Sequence, residues 1–260
     1  MEILKSLLLG IIQGITEFLP ISSSGHLVLF QRILGITEGN LTLNIFLHFG
    51  TLIPVLIIFW NDIKDIILFK SEKKHLIWLI IVGSIPTGFI GIFLEGYSEI
   101  LFSSVLITGF MLLITGFLLY IAEKVKNYSK QIKDFKSGNA IIVGIAQGMA
   151  IIPGISRSGS TIIAALFQKL DKKEAARFSF LLSIPAITGA NILKIKELLN
   201  NQSHTGISLF PLLLGTLTAA IAGYFAIKYL LHILEAGSLI VFSYYCWILG
   251  LIVIFTAGLF

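Results

Sequence analysis

Charge is the scarcest thing in this chain. Only 13% of its 260 residues are Asp, Glu, Lys or Arg, against roughly 25% in soluble domains. Hydrophobic residues make up 56% and the mean hydropathy is +0.93. With so few charges most helices cannot have a wet face, so their exteriors must meet lipid. Cys246 is the single cysteine. That excludes an intramolecular disulfide and a cysteine-rich metal centre, and its apolar setting reads as a buried, inert thiol. Six prolines and 24 glycines exclude collagen and a disordered chain alike. The net charge of +5 is no nucleic-acid signature, because the lysines fall in loops between apolar runs. Gln13, Glu17 and Pro20 interrupt the first apolar run and no A-x-A-like site follows, so it reads as mature fold rather than signal peptide.

What is present is a set of long apolar runs. Six are long enough to span about 30 Å of hydrocarbon: 42–60, 76–94, 103–122, 178–196, 208–230 and 238–258. Two others, 6–33 and 140–168, are apolar at both ends and polar in the middle, as in LLLGIIQGITEFLPISSSGHLVLF and IIVGIAQGMAIIPGISRSGSTIIAALF. Each predicts a re-entrant hairpin of two short helices joined by a Ser/Gly/Pro turn. Broken backbone at that depth is tolerated only where protein covers it or it lines a wet cavity. The expected fold class is therefore an all-α polytopic membrane protein of six spans and two re-entrant hairpins.

The hairpins are copies. Residues 10–26 laid over 144–160 give eight identities in seventeen positions, among them Gln13/Gln147, Ser22/Ser156, Ser24/Ser158 and Gly25/Gly159. The offset is 134, and offsets of 134 and 132 also pair Gly116 with Gly250, Gly83 with Gly215 and Gly91 with Gly223. An internal duplication follows, with a first repeat at 1–126 and a second at 127–260. Three spans per half make the second repeat inverted. If the N-terminus lies on side A, side B holds fourteen Lys and Arg, including Lys70, Lys73, Lys126, Lys173 and Arg177, and side A holds Lys5, Arg32, Lys194 and Lys196. Side B is then cytoplasmic and both termini lie outside.

Arg157 belongs to neither side. An arginine at membrane depth costs about 2.5–3.5 kcal/mol on insertion scales, so it needs a partner or a role. Inverted symmetry brings its turn toward Glu17 and His26. Two readings follow: a structural Arg157–Glu17 ion pair locking the halves, or a shared site for an anionic ligand. Ser22-Ser23-Ser24-Gly25 and Ser156-Arg157-Ser158-Gly159-Ser160-Thr161 each precede an apolar helical run. Serine favours the N-cap, and free amides at a helix start favour an anion. Two such ends with one guanidinium fork suit a diphosphate. Gln13 and Glu17, four residues apart, share a helix face. They read as interhelical glue, as ligands for a hard divalent cation, or, for Glu17, as a general base. His26 is either a proton exchanger or a hydrogen-bonded structural histidine. His48 and Thr51 read as packing, Trp60 and Trp78 as interface anchors, Glu95 and Glu99 as solvated, and His75, His204 and His232 as loop or span-end residues.

These motifs resemble the bacterial undecaprenyl-diphosphate phosphatase family, the bacitracin-resistance phosphatases. Its (E/Q)-x-x-x-E motif matches Gln13 to Glu17 and runs on into FLPISSSGH. Its P-G-x-S-R-S-x-x-T motif matches Pro153, Gly154, Ser156, Arg157, Ser158 and Thr161, and FSFLLSIP at 178–185 is a further shared stretch. The resemblance covers essentially the whole chain. It implies hydrolysis of undecaprenyl diphosphate to the monophosphate and phosphate, which recycles the lipid carrier for cell-wall polymers, at a site open to the outer face of the plasma membrane. It implies Glu17, His26 and Arg157 as essential residues and Ser23 as favoured nucleophile, with Ser22 the alternative. Ser22, Ser24, Gly154, Ser156, Ser158 and Thr161 would surround the phosphates. A divalent cation, magnesium or calcium, is implied near Gln13 and Glu17, although some members carry glutamate where this chain has Gln13. The partners are then the polyprenyl diphosphate and membrane lipids, without nucleic acid; a homodimer is compatible with the sequence, which fixes no oligomeric state. A transporter or flippase of the polyprenyl phosphate carrier is the rival reading, since broken helices and a midplane anion site serve transport too.

Overall fold

In a computed structural model the chain is described over residues 2–36, 41–125, 128–200 and 208–257. Lys126, His204, the proposed repeat boundary at 126/127 and residue 258 lie outside the described residues, as does the side chain of Glu99. Twelve α-helices are present among the described residues, and no strand. They are α1 Glu2–Phe18, α2 Ser23–Ile33, α3 Leu41–Ile58, α4 Trp60–Ile67, α5 Lys74–Glu95 and α6 Ser98–Ser103. The rest are α7 Val105–Glu123, α8 Ser137–Met149, α9 Arg157–Phe167, α10 Lys172–Asn200, α11 Leu209–Ala236 and α12 Ile240–Thr256.

The chain is an all-α multi-pass membrane protein. Every apolar run carries a helix, but the six do not cross alike. Four (α5, α7, α10 and α11) are long and apolar enough to cross a bilayer. The run at 42–60 breaks at Phe59 into α3 and α4, bent 88° to each other, and makes a fifth span only if the pair counts as one. The last, α12, has 17 residues, about 25 Å at 1.5 Å per residue. The hairpin runs are α1–α2 and α8–α9, and α2 and α9 have the same length at an offset of 134.

Glycine sets the closest crossings. A methyl on Gly10 of α1 would stand 2.5 Å from Gly215 O of α11, and one on Gly144 of α8 would overlap Gly83 O of α5. Only bare backbone allows these approaches. The main apolar core takes in Leu19 and Ile21 of the first bend, and within it Phe180 packs at 5.6 Å on Phe18 and at 5.9 Å on Phe59. Just past Phe59, Asp62 of α4 binds Arg177 of α10 (2.5 and 2.7 Å) and Lys73 (2.8 Å). Lys70–Asp65 and Lys173–Glu235 also lie at this end, among the side B residues. Cys246 is fully buried, as expected.

Candidate functional site

The two bends, 19–22 and 150–156, touch. Ser22, the N-cap of α2, accepts from Gly25 N at 3.3 Å and from Gly154 N of the other bend at 3.1 Å, and it contacts Ile155 O at 3.3 Å. Ser158 Oγ returns the bridge by donating to Leu19 O at 3.1 Å. Ser156, the N-cap of α9, accepts from Gly159 N at 3.1 Å. Gly154 sits at φ +96°, and a methyl there would run into Thr108 O. Serines at and just past the two bends thus satisfy the other bend's backbone at a depth where water cannot.

Glu17 lies where α1 ends, buried, between the starts of α2 and α9. Ser23 Oγ donates to its Oε2 at 2.5 Å, Gln13 Nε2 donates to the same oxygen at 3.0 Å, and Arg157 Nη2 donates to Oε1 at 2.6 Å. Ser23 and Arg157 are equivalent residues at the offset of 134, each the first of its helix. The ion pair expected from the sequence is therefore present. It leaves one donor over: Arg157 Nη1 is buried with no partner. A buried guanidinium nitrogen without an acceptor is costly, and it lies beside two helix starts whose first amides have no intrahelical partner. The structural pair and the anion site are compatible readings of one arginine.

The other expected residues divide in two. Ser22, Ser156, Ser158, Thr161 and Gly154 are buried and engaged in the frame. Thr161 donates to Arg157 O at 2.8 Å and meets Ser179 Oγ at 2.6 Å. Gly154 N serves Ser22 Oγ, and Gly154 O accepts from Thr115 at 2.8 Å. Ser23, Ser24 and Arg157 are the partly exposed members. Of the two serines considered as nucleophile, only Ser23 touches a carboxylate. Of the two bases, only Glu17 touches Ser23.

His26 turns elsewhere. Its Nδ1 donates to Ser22 O at 2.7 Å, so in the neutral ring Nε2 accepts, and Tyr245 Oη of α12 donates to it at 2.7 Å. The rings stack at 5.7 Å with 6° between planes. Tyr245 and Thr115 are the residues sequence reasoning missed. Both stand in apolar runs where a hydroxyl reads as interface anchor or packing, and no spacing ties either to the turns. His48 and Thr51 bond within α3, as packing residues do, and Trp78 is exposed and donates to Ser137.

For a divalent cation the side chains supply one carboxylate and, in Gln13 Oε1, one buried oxygen without a partner. Among the described residues no cluster of three His, Cys, Asp or Glu exists that could hold a metal alone. The set fits only a cation that brings most of its oxygen ligands with it, as magnesium does on phosphates.

The profile of the family described as "Bacitracin resistance protein BacA" matches residues 6–252. The chain is 60% identical over 260 residues to the undecaprenyl-diphosphatase of Halothermothrix orenii, covering all of both chains. It is 47% identical over 255 residues to that of Carboxydothermus hydrogenoformans, covering 98% of this chain and 97% of the relative. It is 43% identical over 274 residues to that of Methanosphaera stadtmanae, covering 98% of each. With a profile spanning nearly its whole length and relatives matched end to end, the chain belongs to the BacA family.

Proposed function

We propose that this protein hydrolyses undecaprenyl diphosphate to undecaprenyl phosphate and inorganic phosphate, returning the lipid carrier to cell-wall synthesis. The observation that carries this reading is the chain Ser23–Glu17–Arg157, one carboxylate holding a hydroxyl and a guanidinium from two facing helix starts. It is strengthened by relatives named undecaprenyl-diphosphatase. The terminal phosphate would take Arg157 Nη1 and the first amides of α2 and α9, adding partners without breaking the Nη2–Glu17 bond. Those donors stabilise charge on the phosphoryl oxygens as the bridging bond lengthens. Ser23 gives its proton to Glu17 Oε2 and attacks in line, and the polyprenyl phosphate leaves with the bridging oxygen; water then releases phosphate from the serine. Direct attack by a water held on Glu17 yields the same products. His26 takes the acid role: once protonated, its Nε2 becomes a donor and can serve the departing oxygen in place of Tyr245. A divalent cation would be held by Glu17 and Gln13 Oε1 and would supply neutralising charge for the phosphates.

The lysine-rich side B is cytoplasmic in this reading, the two halves are an inverted repeat, and the site opens to the outer face of the plasma membrane with both termini on that side. The relatives compared above are named as diphosphatases, and none of the three as a carrier of the lipid monophosphate.

The test is phosphate release from undecaprenyl diphosphate by the purified protein in detergent, with and without chelator. Release that falls on chelation and returns with magnesium or calcium is expected; no release under any of these conditions would refute the hydrolysis. Ser23→Ala separates the two attack routes. Loss of turnover together with a trappable phosphoserine in the parent protein supports the covalent route, and persistent release assigns attack to water.

A further inference from the structure

α3 and α10, equivalent helices at the offset of 134, pack on each other, and one end of their crossing is polar. Phe59 and Phe180 meet at 5.9 Å. His48 stands eleven residues before Phe59 and Asn191 eleven after Phe180, about three turns along each helix. Lys194, one turn past Asn191 on the same face of α10, acts electrostatically on His48. The helices therefore run antiparallel here, with His48 opposite the turn that carries Asn191 and Lys194. This polar end adjoins the site. The charges of Glu17 and Arg157 act on the same His48 ring. At the offset of 134, Gln13 and His48 correspond to Gln147 and Leu182, a pair in contact at 3.4 Å through Leu182 O. His48 Nδ1 donates to Asn44 O at 2.9 Å, and Asn44 Oδ1 accepts from Gln31 at 2.7 Å, so α2, the helix that begins at Ser23, borders the same place. The set equivalent to His48, Asn191 and Lys194 is Leu182, Ile57 and Trp60. It carries no amide side chain and no charge, so the shared frame asks for neither.

Asn191 is the telling member. It is 3% exposed, and its Nδ2 has no partner among the described residues. An asparagine acting as glue between membrane helices would be bonded across them, and a buried amide nitrogen without an acceptor is costly. Arg157 Nη1 is in the same condition. Two unmet donors and a half-buried lysine suit an anion with more than one acceptor group. We infer that Asn191 and Lys194 form a second phosphate position, which takes the lipid-linked phosphate of the substrate while Arg157 and the helix starts take the terminal one. The assignment rests on the hydrolysis proposed above, which puts the terminal phosphate beside Ser23. His48, within electrostatic reach of Arg157 and Lys194 alike, links the two positions. The lipid monophosphate keeps the contacts of the second position, and inorganic phosphate keeps those of the first.

Calorimetric titration of the purified full chain in detergent reads the two positions separately. In Asn191→Leu, which removes the amide and leaves no unmet donor behind, the Kd for undecaprenyl phosphate is expected to rise about tenfold or more, the scale of a hydrogen bond to a charged group. Lys194→Met should raise it about threefold, an effect that shrinks with added salt, and Lys194→Arg should restore it. The Kd for inorganic phosphate and for undecaprenol, which carries no phosphate, should stay as in the parent. Lys196→Met, at an exposed lysine two residues on, should leave all three unchanged. An unchanged Kd for undecaprenyl phosphate in Asn191→Leu overturns the position; if that variant does not fold, the Lys194 pair decides alone. An equal rise for undecaprenol also overturns it, because the loss would then belong to fold or tail. So does an equal rise for inorganic phosphate, which would give these residues to the terminal phosphate. The titration needs no turnover. If the parent releases no phosphate from undecaprenyl diphosphate, the hydrolysis fails whatever the Kd values do, so the two failures are distinct.

Discussion

The first bend and the second are built on one frame and carry different loads. Ser22 and Ser156 cap α2 and α9 through the same bond, at 3.3 and 3.1 Å, and each has a second serine two residues on, at 3.3 and 3.2 Å. The chain reversal is achieved differently. In the second bend the left-handed residue is Gly154, whereas in the first it is Ser22 itself, at φ +70°. A non-glycine residue held there costs of order 1–3 kcal/mol and persists only when its surroundings over-determine it. The surroundings do so here, because Ser22 bonds Gly25, Gly154 and Ile155 at once. The strained bend is also the one beside Glu17, Ser23 and His26. The glutamines divide in the same way: Gln13 serves Glu17, while Gln147 serves Thr87 Oγ1 and Leu182 O and so ties α8 to α5 and α10. The two bends share one frame, and the residues proposed for the chemistry, Ser23 and Arg157, are unlike residues at like positions.

That division can be broken by substitution, and the largest effects belong to the unlike residues. Glu17→Gln and Arg157→Lys should each lower kcat for phosphate release by roughly 10²–10³-fold, the lysine because a point charge cannot replace a two-nitrogen fork. Near-normal release by Arg157→Lys would reduce that arginine to a clamp. Next come the two reversals. Gly154→Ala should cost roughly 1–3 kcal/mol for φ alone, plus the overlap with Thr108 O, and lower the melting temperature clearly. Ser22→Gly relieves φ but removes four bonds, so its melting temperature should fall less; a larger fall would mean that the bonds outweigh the strain.

Tyr245→Phe should lower kcat about fivefold with little change in KM, the scale of one hydrogen bond of ~1 kcal/mol. In a His26→Ala background it should cost nothing more, and an additional loss there would show that Tyr245 acts on its own. The smallest change is expected for Gln147→Leu. It removes weak bonds of 3.2 and 3.4 Å and an oxygen without a partner, so stability should shift by less than about 1 kcal/mol. Gln13→Leu, the equivalent substitution, should instead lower kcat, because Glu17 loses a donor.

Much of this was legible in the sequence. Apolar runs a helix long located the spans, and the paired Ser/Gly turns located the bends, because at that depth a broken backbone needs small polar residues and leaves them visible. The Glu17–Arg157 meeting followed from charge being too costly in lipid to stand alone. The 88° break at Phe59 was not legible, since neither proline nor glycine marks it, and the helix beyond it is tied by Asp62 to Arg177, 115 residues away. Tyr245 is 219 residues from His26 and looks like any other tyrosine of an apolar helix. The six serine, threonine and glycine positions expected around the phosphates could not be sorted from spacing alone. Frame and ligand contacts ask for the same residue types, and only burial separates Ser22, Ser156, Ser158, Thr161 and Gly154 from Ser24.

Phe18 and Phe59 both pack on Phe180. If the site opens outward as proposed, headgroup and freed anion would share one mouth on that face, and turnover would owe nothing to the voltage across the bilayer. Its pace should instead follow how soon the mouth clears.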